Sequence, residues 1–315
     1  MHTTPNPKVT GAASPHPLRL WPIPLLVSGL IAADSFYTSL GGVHLTVAAA
    51  LAIIVAGIPH GTLDIEIAAM RFRHRRGMAR AQLTLGYLAC AAAMGLCWLA
   101  APAAALGLFL IISIVHFSQD WAPAGEPFLA TMVGWSLIAM PALSHPQDVA
   151  AIFALLTTDV SGGAMASVLA ITAAPAALGT LVYALSAWSR GKPRAAVHAL
   201  SCLIAALFLP PLIGFAIFFC LLHSPRHMRD AIRETRAISC VRRHVIVVAV
   251  TLLALALGVV MFAAQTMLRI EDGVIRTAFI LLSILTVPHF VLERALAGTR
   301  RSGQDGPHER SLPAT

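Results

Sequence analysis

Apolar residues run almost unbroken through most of this chain. They fall into stretches near 20–35, 44–70, 82–100, 103–120, 128–143, 166–188, 195–209, 212–228, 245–265 and 276–295, divided by short segments rich in Pro, Gly, Arg and Ser. Continuous apolar runs without a two-residue alternation predict helices that are apolar all round, the pattern of a membrane span. A β-barrel would show shorter, alternating segments. A span takes roughly 20 residues, so 20–35, 128–143 and 195–209 are short for one. The apolar stretch 149–157 is shorter still and is expected as an interfacial segment. The pattern predicts an all-α, polytopic transmembrane helix bundle of about ten helices at 20–296. Residues 1–19 and 297–315, polar and marked by Pro and Gly, are expected as disordered tails.

Composition excludes the soluble alternative. Hydrophobic residues make up 57% of the 315 and charged residues only 11%, where a soluble protein has roughly 25% charged. The formal net charge is +8, and its placement matters more than its size. With the N-terminus in the cytoplasm and ten spans, every Lys and Arg except Arg269 and Arg276 falls on the cytoplasmic side. That asymmetry is the positive-inside signature of a cell (inner) membrane protein with both termini cytoplasmic. The basic residues form no face with interleaved aromatics, so nucleic acid is not an expected partner. The five cysteines include no Cys-x-x-Cys pair and read as small buried hydrophobes.

Against this background the histidines stand out, because an ionisable side chain inside a span is costly and usually functional. His60, His116, His223 and His227 lie in or at the ends of apolar runs, all toward the cytoplasmic leaflet, as does His289. His223 and His227 are spaced i, i+4 and share a helix face. Two runs repeat a His-x-x-x-Asp spacing: Pro59-His60-Gly-Thr-Leu-Asp64 and His116-Phe-Ser-Gln-Asp120. A carboxylate one turn away can accept the second ring N–H and fix the ligating tautomer, so Asp64 and Asp120 are expected to orient His60 and His116. His289, in Val287-Pro-His289-Phe-Val-Leu-Glu293, is expected in a supporting role. Four imidazoles without a thiolate suit iron, copper or zinc. Haem needs only two ligands. A metal or small-solute transporter with an intramembrane His/Asp site is the alternative class, and it requires a polar path on both sides of the site.

These motifs, in this order, resemble the Brp/Blh family of β-carotene 15,15′-dioxygenases. The resemblance rests on Pro59-His60-Gly61 with Asp64, the lone His116, the His223/His227 pair and Pro288-His289. It spans roughly residues 50–295 and implies a membrane-embedded oxygenase with Fe(2+) held by His60, His116, His223 and His227. The implied reaction splits the central double bond of β-carotene, or a related carotenoid, with O2 to give retinal, with a rhodopsin as a possible acceptor. Where the family pattern leads one to expect a further His after Asp64, this chain has Ile65-Glu66, and Glu66 is the candidate to compensate. A lipid-dissolved polyene also needs an apolar tunnel near the metal. Phe117, Trp121, Phe215, Phe218, Phe219 and Phe290 are the candidate lining.

Overall fold

The computed structural model describes residues 22–37, 42–72 and 80–304. The described residues are helical throughout, without a strand. The helices are α1 (Pro22–Tyr37), α2 (Val43–His60), α3 (Asp64–Arg71), α4 (Arg80–Ala100), α5 (Pro102–Ser118), α6 (Pro127–Ser144) and α7 (Pro146–Leu156), then α8 (Asp159–Ser189), α9 (Pro193–Phe208), α10 (Pro211–Phe218), α11 (Ser224–Glu234), α12 (Cys240–Ala263) and α13 (Ile270–Gln304). Among the described residues, seven stretches are long and apolar enough to cross a membrane: His44–Arg71, Arg80–Ala100, Pro102–Ala124, Pro127–Ser144, Asp159–Ser189, Cys240–Ala263 and Ile270–Ala297. Pro22–Ala33, Pro146–Leu156 and Pro193–Phe208 are apolar but shorter.

Proline sets most of the boundaries. Pro102, Pro127, Pro146, Pro193 and Pro211 each open a helix, where the missing N–H costs nothing and the fixed φ favours the first turn. Two expected spans are broken rather than continuous. The run at 44–70 stops at His60, turns through Gly61–Leu63 and resumes as α3, because Pro59 interrupts the hydrogen-bond ladder. The run at 212–228 is α10, a wide π turn at Phe219–His223, and α11. Pro225 cannot donate to Leu221 and its ring crowds that carbonyl, so the preceding turn opens. The stretch expected at the interface, 149–157, forms the helix α7. It buries Val149, Phe153 and Leu156 and packs chiefly on α8. Helix α13 continues past the expected domain end at 296, to Gln304. Of the tails expected at 1–19 and 297–315, residues 297–304 belong to α13, and 1–19 and 305–315 lie outside the described residues.

The core lies where α5, α6, α8 and α9 meet α10 and α13. Burial of apolar area gains little when lipid is the alternative solvent, so close approach and interhelical hydrogen bonds carry more of the specificity. Gly134 is such an approach: a Cβ there would sit 2.5 Å from the carbonyl oxygen of Ile114 and 2.9 Å from the amide of Ser118. Thr180 donates to Ser136 at 2.9 Å, joining α8 to α6, and Trp98 donates to Ser283 at 2.6 Å, joining α4 to α13. By contrast, α12 buries only Ala254 and Gly258 among its 24 residues. Its outward face is apolar, with Val241, Val245, Val248, Leu252 and Val259 exposed.

The Gly134 contact also positions the end of α5. Gly134→Val should push α5 from α6 and destabilise the protein by about 1–3 kcal/mol, read as a lower midpoint of thermal unfolding in detergent.

Candidate metal centre

Three elements carry the polar cluster, and each places its imidazole through a local feature. Helix α5 delivers His116 in its last turn. The π turn and α11 deliver His223 and His227, whose rings lie 4.4 Å apart between centroids. Helix α13 delivers His289 after its internal Pro288. The rings converge: His116 is 4.9 Å from His223, 5.2 Å from His227 and 5.1 Å from His289, centroid to centroid. His116, His223 and His289 are buried and His227 is partly so. Ligand atoms of His116, His223 and His227 all lie within 4.8 Å of one another, as do those of His116, His289 and Glu293.

Carboxylates surround the rings. His223 Nδ1–H donates to Asp120 Oδ2 at 2.7 Å, and His289 Nδ1–H donates to Asp64 Oδ2 at 2.6 Å. A carboxylate only accepts, so these bonds put the proton on Nδ1 and the lone pair on Nε2. Asp120 is itself held by Arg226, whose guanidinium donates to its backbone oxygen at 2.6 Å and to Oδ1 at 3.2 Å. Glu293 bridges the remaining rings, 3.3 Å from His116 Nδ1, 3.4 Å from His227 Nδ1 and 3.3 Å from His289 Nε2. His116 Nε2 is buried and meets no hydrogen-bond partner among the described residues. A buried ring nitrogen without a partner is costly in a protein interior. The donor set of imidazoles with a carboxylate suits a divalent transition metal such as iron, and such an ion would satisfy His116 Nε2.

Several expected pairings come out differently. Asp120 orients His223, not His116, because it lies in the turn after α5, where it faces α11 across the bundle. Asp64 pairs with His289, because the break at Gly61–Leu63 starts a new helix that packs against α13; its expected pairing with the His60 ring falls outside the described residues. His289 lies level with the other rings and offers a ligand atom of its own. The side chain of His60 lies outside the described residues. The backbone beside it adjoins the cluster: a Cβ at Gly61 would sit 3.3 Å from Asp64 Oδ2 and 3.6 Å from His289 Nδ1. Glu66 does not compensate for a missing histidine, since Arg80 and Arg242 hold it, each at 3.2 Å. Glu293 joins the site although the sequence pattern does not single it out. It stands four residues after His289, the same His-x-x-x-carboxylate spacing seen at Asp64 and Asp120.

Two cavities flank the cluster, and their chemistry is opposite. One, of about 210 Å³, is polar, with Asp64, Gln119, His227, Asp230, His289 and Glu293 in its wall. An ion pair, Arg71 to Glu234 at 2.7 Å, stands at its edge. The other, of about 70 Å³, is an apolar chamber bounded by α5, α6, α7, α10 and α13. Phe117 and Phe215 of the expected tunnel residues line it. The other four lie outside its wall. Phe219 stacks on His223 at 5.3 Å and fits against Gly57, where a Cβ would meet its ring at 3.0 Å. Phe290 meets the His116 ring edge at 6.1 Å. Trp121 and Phe218 stack behind the site, and Tyr183 donates to the Trp121 carbonyl at 3.0 Å.

Comparison with known proteins identifies the family. The family profile described as beta-carotene 15,15′-dioxygenase matches residues 51–297. A curated beta-carotene 15,15′-dioxygenase from uncultured marine bacterium 66A03 is 29% identical over 253 residues, covering 77% of this chain and 91% of that protein. No solved structure matches at a significant level. The chain therefore belongs to this family of carotenoid-cleavage dioxygenases.

The outer carboxylates generate a test. Asp120→Asn should weaken metal binding by about 10–100-fold without changing helix content, as measured by chelator competition on the purified protein. Glu66→Gln, remote from the rings, should leave metal affinity unchanged in the same assay.

Proposed function

We propose that this member of the β-carotene 15,15′-dioxygenase family is a membrane-embedded, non-haem iron enzyme that cleaves β-carotene or a related carotenoid with O2 to give retinal. The observation that carries this reading is the imidazole cluster standing between a polar cavity and an apolar chamber. His116, His223, His227 and His289, with Glu293, are the residues that would hold Fe(2+). His60 is proposed as a further ligand, because the chain beside it at Gly61 adjoins His289. When bound, iron supplies the redox chemistry that lets O2 react with an alkene. The protein's own groups do the rest. Asp120 and Asp64 keep the Nδ1 protons of His223 and His289 in place, so that each Nε2 lone pair is presented in a fixed direction. Arg226 pins Asp120, which keeps that direction from drifting.

The chamber selects the substrate by shape. A carotenoid already dissolved in lipid gains little from burial as such, so the wall contour must discriminate. A smaller apolar cavity that shares Leu212, Phe215, Phe279 and Leu282 with the chamber extends it toward Ala50 and Ile53 of α2. A polyene lying there is kept from water, while the polar cavity gives the site access to the aqueous side. A further pocket with Thr46, Asp148 and Asp272 in its wall adjoins the far end of the chamber, and the apolar chamber interrupts any polar path between it and the cluster; that interruption supports an enzyme over an ion transporter, which needs a polar path on both sides of the site.

Seven helices long and apolar enough to cross support a multi-pass protein of the cell inner membrane. Arg71, Arg226, Arg229, Arg233 and Arg242 belong to the elements at the cluster end, whereas Arg269, just before α13 at its opposite end, pairs with Asp272 of the first turn. This distribution supports both termini in the cytoplasm. Retinal formed here would remain in the bilayer, available to a rhodopsin as acceptor.

Expression in cells that accumulate β-carotene tests the reading. Orange cells should bleach and retinal should appear, and the purified protein should carry stoichiometric iron. His223→Ala should abolish bleaching and iron together. Persistent colour with iron-loaded wild-type protein would reject β-carotene as substrate.

A further inference from the structure

We propose that Ser113 donates a hydrogen bond to the oxygen end of a polyene aldehyde held in the apolar chamber, an inference that rests on the chamber being the polyene site. Buried hydroxyls elsewhere in this bundle follow one habit. Ser118, Ser136, Thr235 and Ser283 each donate to a carbonyl three or four residues earlier in their own helix or its first flanking turn, the usual way to satisfy a hydroxyl in an apolar setting. Ser113 departs from it. The residue is 2% exposed, and its Oγ is buried with no hydrogen-bond partner among the described residues. It belongs to the chamber wall, together with Phe109 and Phe117 one turn to either side, and is the one polar side chain among the described residues lining that chamber.

Its position relative to the imidazoles gives the donor a purpose. Ser113 precedes His116 by three residues on α5, about 4.5 Å along the helix axis. A hydrocarbon polyene offers it no acceptor. Oxidative cleavage creates one: the C=C bond breaks, each of its carbons takes one oxygen atom of O2, and two aldehydes form with no other reductant. The new carbonyl arises at the cluster end of the chamber, one turn from Ser113. A single hydroxyl in an apolar wall thereby distinguishes an aldehyde-ended polyene, whether product or incoming substrate, from the parent hydrocarbon, by the logic through which a few placed polar groups orient ligands in apolar pockets.

Binding of retinal and of its deoxygenated C20 hydrocarbon to the purified full-length protein in detergent tests this. Ser113→Ala should raise the Kd for retinal about tenfold, the worth of one neutral hydrogen bond, and leave the Kd for the hydrocarbon unchanged. The C=O stretch of bound retinal should lie lower in wild type than in Ser113→Ala, and Ser113→Thr should restore both readouts. Equal loss for both ligands would make Ser113 a packing residue and overturn the proposal. So would an unchanged aldehyde Kd and C=O stretch in Ser113→Ala, with the chamber still a polyene site. If wild type binds neither ligand, both this inference and the reading of the chamber fall.

Discussion

An imidazole in an apolar helical bundle needs an acceptor for its N–H and a use for its lone pair. In this protein three carboxylates meet the first need. Asp120 takes the proton side of His223, Asp64 that of His289, and Glu293 lies against His116, His227 and His289. Removing any one would leave a buried polar ring uncompensated, which is far more costly than the pair is stabilising. The arrangement of α3, α5, the π turn with α11, and α13 follows from this demand, because each contributes a carboxylate, an imidazole or both. The helix breaks at Gly61–Leu63 and Phe219–His223 belong to the same solution. They re-aim Asp64 and His223, which a straight helix would direct elsewhere.

Much of this was legible in the chain. The apolar runs gave the helical class and nearly every helix, because a span must satisfy its own backbone. The histidines toward one leaflet were visible because ionisable residues are so rare in such runs. What the linear pattern concealed was partnership. A carboxylate four residues from a histidine looks like its own partner, yet Asp64 and Asp120 reach rings on other helices. Both follow a helix end or break, where the i, i+4 geometry no longer applies. Glu293 was overlooked although it repeats the same spacing, since a glutamate near a helix end reads as solvated. The tunnel residues were hard to choose for a different reason. An aromatic ring near a metal can line the chamber, as Phe117 does, or brace a ligand from behind, as Phe219 does on His223, and spacing alone does not separate the two.

The contrast between the two cavities links structure to chemistry. A polyene needs dry, shaped space, whereas the ligands need carboxylates and access to the aqueous side. The protein keeps these demands apart by placing the imidazoles at the boundary, with Phe117 on one side of His116 and Glu293 on the other. Ser113 is the exception in the dry compartment, and an exposed apolar helix such as α12 contributes to neither.

X-ray absorption at the iron edge of the purified protein tests the central claim most directly. The account predicts a mononuclear iron whose spectrum carries the multiple-scattering pattern of at least three imidazole rings, with nitrogen and oxygen neighbours and no sulfur. A porphyrin signature, a second iron at short distance, or scattering from one histidine or none would contradict it.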